Sequence, residues 1–177
     1  MKNINNLVSR SHKMKDNIKK FIKEAESIVD AETAMDLVHT MEQVLADTFV
    51  FYFKSHAFHW NVRGLGFSQY HAFFGDIYET VFDSVDTLAE HIRMLGSPAP
   101  RSITDMIHNT TLMENDKDLS IEEMLMALSS DNQKILGGLL AAQKMAEAAN
   151  QVGLANYLQD QFNYHKKLAW QLTSSLG

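Results

Sequence analysis

Residues 59–95 read HWNVRGLGFSQYHAFFGDIYETVFDSVDTLAEHIRML, and the chain is organised around them. From Phe67 to Leu95 there is no proline and a single glycine, Gly75. Apolar residues recur at Phe67, Tyr70, Phe74, Ile77, Tyr78, Val81, Phe82, Val85, Leu88, Ala89, Ile92 and Leu95. Spacings of three and four predict one long amphipathic helix. Four side chains that can bind metal lie in or beside it: His59, His71, Asp86 and Glu90. Asp86 and Glu90 are four apart and share a helix face. His71 precedes Asp86 by about 22 Å of helix, at about 1.5 Å per residue. No single ion bridges that gap with bonds of about 2 Å. If all four serve one centre, the two halves come from different subunits. A two-fold antiparallel pair makes such a site twice. Without a partner, the same residues are ordinary polar groups on solvated faces.

Outward from this helix, Gly64 and Gly66 end a preceding helix predicted from about residue 30 to Asn61. Asp30 and Thr33 compete as its N-cap. Gly96 and Ser97-Pro98-Ala99-Pro100 stop the central helix. Residues 101–119 form a long crossover, with a short helix expected near Ile103 to His108. Ser120-x-x-Glu123 reads as a capping box opening a third long helix to about Ala149. Gly137-Gly138 inside that helix points to close approach of a neighbour. After a turn at Asn150 to Gly153, a last helix runs from about Leu154 to Leu176. Two long helices, a crossover and two more give an all-α, four-helix bundle with one long connection between helices 2 and 3. The division is a basic N-terminal arm with a short helix from about Lys13 to Val29 (residues 1–29), then the bundle (residues 30–177).

With 45% hydrophobic residues among 177, the chain can bury a full core. There is no cysteine, hence no disulfide framework or thiolate metal site. The first twenty residues lack the apolar core of a secretory leader, and no apolar run approaches a membrane span. A cytoplasmic location is expected, and no membrane partner. The net charge of −6 is uneven. Lys2, Arg10, Lys13, Lys15, Lys19, Lys20 and Lys23 against Asp16 give +6 over residues 1–23, which leaves −12 for the rest. A basic arm on an acidic body can attract phosphate without reading sequence, so the arm is a candidate for non-specific DNA binding, with nucleoid association if DNA is bound; the competing reading is a helix face balanced by the acidic body of a neighbouring subunit.

The run His59-Trp60-Asn61-Val62-Arg63-Gly64, then Phe67, His71, Tyr78 and Asp86-x-x-Ala89-Glu90-x-Ile92-Arg93-x-Leu95-Gly96, resembles the Dps family, the mini-ferritins or DNA-binding proteins from starved cells. The likeness is densest over residues 44–100 and reaches Trp170. It implies a ferritin-like subunit, a hollow dodecamer, and a ferroxidase site at each two-fold interface. There His59 and His71 of one subunit and Asp86 and Glu90 of its mate are the metal and catalytic residues. Fe(II) is oxidised by hydrogen peroxide, or more slowly by dioxygen, and ferric mineral is stored, protecting DNA from oxidative stress. Imidazole and carboxylate also suit Zn or Mn in the same site. The alternative is a DNA-compacting shell with a weak or non-iron metal site.

The resemblance has gaps. Many members carry an acid four positions after the second histidine; here that position is Gly75, with Asp76 following about 100° round the helix. Asp83 is a weaker substitute. Members commonly line a three-fold pore with acid near the start of the last helix. Val152-Gly153-Leu154-Ala155-Asn156 has none, leaving Glu147 and Asp160 as candidates. Lys166 stands where many relatives have Glu. Trp60 is expected to pack against the site. In the family that position is associated with quenching radicals, and core packing explains it as well. His56, three before His59, reads more simply as a polar packing residue than as a ligand. Asp36-x-x-His39 and Asp105-x-x-His108 read as solvated faces.

Overall fold

The computed structural model describes residues 31–177, and side chains from Met35 onward. The basic arm, the short helix expected over 13–29 and the cap candidate Asp30 lie outside that description, whereas the rival cap Thr33 falls inside the first helix, which is helical from Ala31. Five helices follow in order: α1 (Ala31–Asn61), α2 (Phe67–Met94), α3 (Ile103–Asn109), α4 (Ile121–Ala148) and α5 (Val152–Leu176). No strand occurs among the described residues. Each long helix has 25 to 31 residues, enough to span about 37 to 46 Å.

Packing follows the predicted order. α1 packs on α2, α4 on α5, and α1 on α4, so α1 is central; the short α3 lies across α1. One core runs through the bundle. Leu37, Met41, Leu45 and Phe51 of α1 meet Phe74, Ile77 and Leu88 of α2, Leu128 and Ile135 of α4, and Leu158 and Leu172 of α5. Tyr157 on α5 donates its hydroxyl to the Ser84 carbonyl of α2 at 3.3 Å, closing the fourth side.

The boundaries have local causes. Gly64 and Gly66 take φ of +95° and +84°, a region side chains avoid, so the α1–α2 corner turns within five residues. Gly96 at +91° ends α2 in the same way. Ser120 and Glu123 form the expected capping box, and Ser102 with Asp105 forms a second one that fixes α3. The last turn is shorter than expected: Asn150 takes φ of +55°, and α5 starts at Val152. Gly138 does mark a close approach, since a Cβ there would meet Val44 Cγ2 at 3.1 Å. Gly137 does not, because nothing lies within 4 Å of its added Cβ.

The crossover is pinned by buried polar groups. Asp47, 1% exposed, accepts from the Thr110 hydroxyl at 2.7 Å and from the Thr111 amide and hydroxyl at 2.6 and 3.0 Å. Lys54 pairs with Asp131 inside the bundle and donates to the Met113 carbonyl at 2.7 Å. His165 is also buried, with Nδ1 2.6 Å from Asn132 Oδ1, while Asn132 Nδ2 donates to the His165 carbonyl. Burial alone pulls the His165 imidazole down to about 4.

Candidate metal centre

α1 ends beside the start of α2, and this corner carries His59 and His71. The last carbonyls of a helix lack intrahelical donors. That of His59 is met by His71 Nδ1 at 2.8 Å, and the carbonyl of His71 is met by His59 Nδ1 at 2.7 Å. A carbonyl only accepts, so each Nδ1 carries its hydrogen, and in the neutral ring Nε2 holds the free lone pair. The two rings stack at 3.7 Å with 22° between planes. Two imidazoles are therefore held side by side with one tautomer each, in the way that backbone carbonyls orient metal-binding histidines through the other ring nitrogen.

Aromatic rings surround the pair. Phe67 stacks on His71 at 5.1 Å, and Tyr78 sets an edge against His59 at 5.2 Å. His56 lies flat on Tyr78 at 3.9 Å and touches Trp60 at 4.1 Å. Burial first, and His59 second, lower the pKa of His56, with Glu79 opposing. Trp60 packs on His56 beside the pair and edge-on to Phe53, and at 58% exposed it is not packed in the core, the alternative the sequence left open. Its place at the end of α1, on the outward side of His56, leaves the core out of reach.

Asp86 and Glu90 are exposed further along α2. Among the described residues, no three His, Asp or Glu side chains gather closely enough to hold an ion. The separation inferred from helix length thus holds within one chain. Phe67, His71, Tyr78, Phe82 and Asp86 do fall on one face of α2, next to the buried stripe of Phe74, Ile77, Val81, Leu88 and Ile92. Phe82 and Phe53 are about half exposed there. With Tyr52, Phe58, Ile103 and Ile107 they line an apolar groove of about 620 Å³.

The secondary candidates separate cleanly. Asp76 is exposed and lines a cleft with Tyr70, Trp170 and Gln171, away from the imidazoles. Asp83 lines a shallow depression with Tyr52, Tyr78 and Glu79. Glu147 accepts from Gln143 one turn earlier at 2.7 Å, and Asp160 is exposed on α5 with Lys166 and Lys167. His39 is solvated beside Glu42 at 3.5 Å, and Asp105 is the acidic partner of Ser102 in the capping box of α3. The buried trio Lys54, Asp131 and His165 escaped the sequence reading. Lys54 gave the best signal: it lies four residues from Val50 and from Phe58, both on the apolar face of α1.

A family model, the ferritin-like domain, matches residues 38–177. The chain belongs to the Dps family of ferritin-like proteins. Among its relatives is the DNA protection during starvation protein of Helicobacter pylori, 27% identical over 144 residues, which are 81% of this chain and 100% of that protein. The solved Dps of Staphylococcus aureus is 29% identical with a TM-score of 0.77, covering 81% of this chain and 96% of that one. The Dps of Vibrio cholerae, described as a ferritin-like diiron-carboxylate protein, superposes with a TM-score of 0.80 at 23% identity, over 84% of this chain and 94% of that one. Dps proteins serve, in general terms, in iron storage and DNA protection. No described helix of this Dps-family chain is long and apolar enough to cross a membrane.

Proposed function

We propose that the protein is a ferroxidase that takes Fe(II) as substrate at sites shared between subunits and stores the ferric product. The observation that carries this reading is the reciprocal His59–His71 lock, which holds both rings stacked with Nδ1 on a carbonyl and leaves both Nε2 lone pairs free. The register of α2 supports the sharing. A two-fold axis between Tyr78 and Glu79 sets His71 opposite Asp86 of the partner subunit, with the exposed Phe82 and the half-buried Tyr78 packed around the axis. Asp86 and Glu90 then bring two negative charges to the imidazole pair, and that charge favours Fe(III) over Fe(II).

In this assembly His59 and His71 bind and orient the ion, and their Nδ1–H groups stay on backbone carbonyls throughout. Phe67 and Tyr78 keep bulk water from the rings. Two Fe(II), taken in turn, each give one electron; hydrogen peroxide accepts both and, with two protons, leaves as two waters. Dioxygen is the slower oxidant. Hydrolysis of Fe(III) then returns protons and forms oxide-hydroxide, which collects in the cavity of a dodecameric shell. Removing iron and peroxide together suppresses Fenton chemistry near DNA. Iron is the ion proposed; zinc and manganese rest only on the donor types. Cytoplasmic placement belongs to the same reading.

Anaerobic Fe(II) loading followed by a peroxide pulse tests it. Rapid growth of ferric absorbance, with iron eluting in a large assembly, is expected. Oxidation no faster than in buffer, with no iron retained, contradicts it.

A second reading, phosphate attraction by the arm, rests on the +6 carried by residues 1–23. Repetition around a shell adds avidity. Retardation of duplex DNA at low salt, lost at high salt and on deletion of residues 1–20, is the expected result. Retardation that survives the deletion removes the arm from the account.

A further inference from the structure

We infer that Gly75 sets the capacity of the half-site: by having no side chain it seats the His59 imidazole and leaves two nitrogens as the whole local donor set, so each shared site holds one ion. This deepens the proposed ferroxidase reading and rests on it. The carbonyl of His71 is the helical partner of the Gly75 amide, four residues on. For His59 Nδ1 to reach the same carbonyl, the ring must pass over the Cα of Gly75. It does so closely: an added Cβ would lie 3.3 Å from His59 Nδ1 and 3.4 Å from Cε1. Gly75 is buried in the middle of α2, where Ala would be favoured over Gly by about 1 kcal/mol on helix propensity. A close backbone approach accounts for a glycine there.

The donor count follows. Asp76, the next residue, faces the cleft beside Trp170. No third His, Asp or Glu joins His59 and His71 among the described residues. With Asp86 and Glu90 of the partner subunit, the site totals two imidazoles and two carboxylates. Di-iron bundles use two histidines and four carboxylates for two ions. Two imidazoles with one or two carboxylates and open positions are the complement of one Fe(II).

Anaerobic titration with Co(II) of the full-length assembly, against its His59→Ala, Gly75→Ala and Gly137→Ala variants, separates the outcomes. One Co(II) per subunit, lost in His59→Ala, is expected. Two His59-dependent ions per subunit overturn the one-ion capacity while leaving the shared site standing. No His59-dependent ion overturns the site itself, and this inference with it. In Gly75→Ala, affinity falls about tenfold while Tm stays level or rises, because the new methyl displaces the ring but suits the helix. Gly137→Ala, with open space at its Cβ, leaves affinity unchanged. Unchanged affinity in Gly75→Ala, or a fall in affinity matched by a lower Tm, contradicts the positioning role and marks the glycine as packing alone.

Discussion

Gly137 and Gly138 are adjacent in sequence and opposite in consequence. Gly137 is exposed with nothing near its Cβ direction, whereas Gly138 faces Val44 Cγ2 at 3.1 Å. Gly137→Ala is expected to raise the unfolding free energy by about 1 kcal/mol. Gly138→Ala falls short of that gain, because the propensity term is offset by crowding at Val44. Urea unfolding of the two variants side by side checks the order. The sequence pair announced a close approach but not which glycine makes it, since that depends on how α4 is rotated against α1. His59 and His71 were legible as residues, through their types and flanking motif. Their reciprocal bonds were not, because the lock joins side chains to carbonyls across a corner, and carbonyls leave no trace in a sequence. Gly75 was legible only as a missing acid; its contact with the His59 ring needed coordinates.

At the scale of elements, the crossover and the α1–α4 contact depend on buried charge. Lys54 and Asp131 are each 8% exposed at the side chain. Lys54→Met leaves Asp131 as an uncompensated buried carboxylate, at a cost of about 3 to 5 kcal/mol. The double variant Lys54→Met/Asp131→Leu is expected to recover most of that loss, and a double-mutant cycle by denaturant unfolding measures the coupling. His165 gives the α4–α5 contact a dependence on pH. Its folded pKa of about 4 lies below the unfolded value of 6.5, so the unfolded chain binds the proton more readily. Stability contributed by the neutral ring is therefore full above pH 6.5 and is lost as pH falls toward 4. The loss approaches about 3 kcal/mol, at 1.36 kcal/mol per unit. In His165→Gln, unfolding midpoints at pH 7 and pH 5 are expected to converge. The helices themselves were legible because periodicity, paired glycines and the Ser120–Glu123 box all act locally. Lys54, Asp131 and His165 were not singled out: a charged residue inside an apolar stripe looks like an interruption until its partner on another helix is known.

For the whole molecule, the bundle order was readable from helix lengths and the position of the long connection, and the ferritin-like match over residues 38–177 agrees with it. The assembly is less directly written. A two-fold pair follows from distance along α2: His71 and Asp86 share a face but lie too far apart to share an ion in one chain. Phe82 on α2 lies between them, and Phe53 and Trp60 on α1 are likewise about half exposed, an apolar surface that the proposed two-fold pair would cover. The central claim is that each site is built from two chains, and co-assembly of complementary variants tests it most directly. One variant is His59→Ala/His71→Ala, and the other is Asp86→Ala/Glu90→Ala. Neither alone binds Fe(II) anaerobically. After joint refolding, about one site in four regains a full set of ligands, by the symmetry of an isologous pair, and Fe(II) binding with peroxide-driven oxidation returns to that level. If the mixture stays as inert as its parents while the wild-type assembly binds iron, or if the carboxylate variant binds iron unaided, the shared site is wrong.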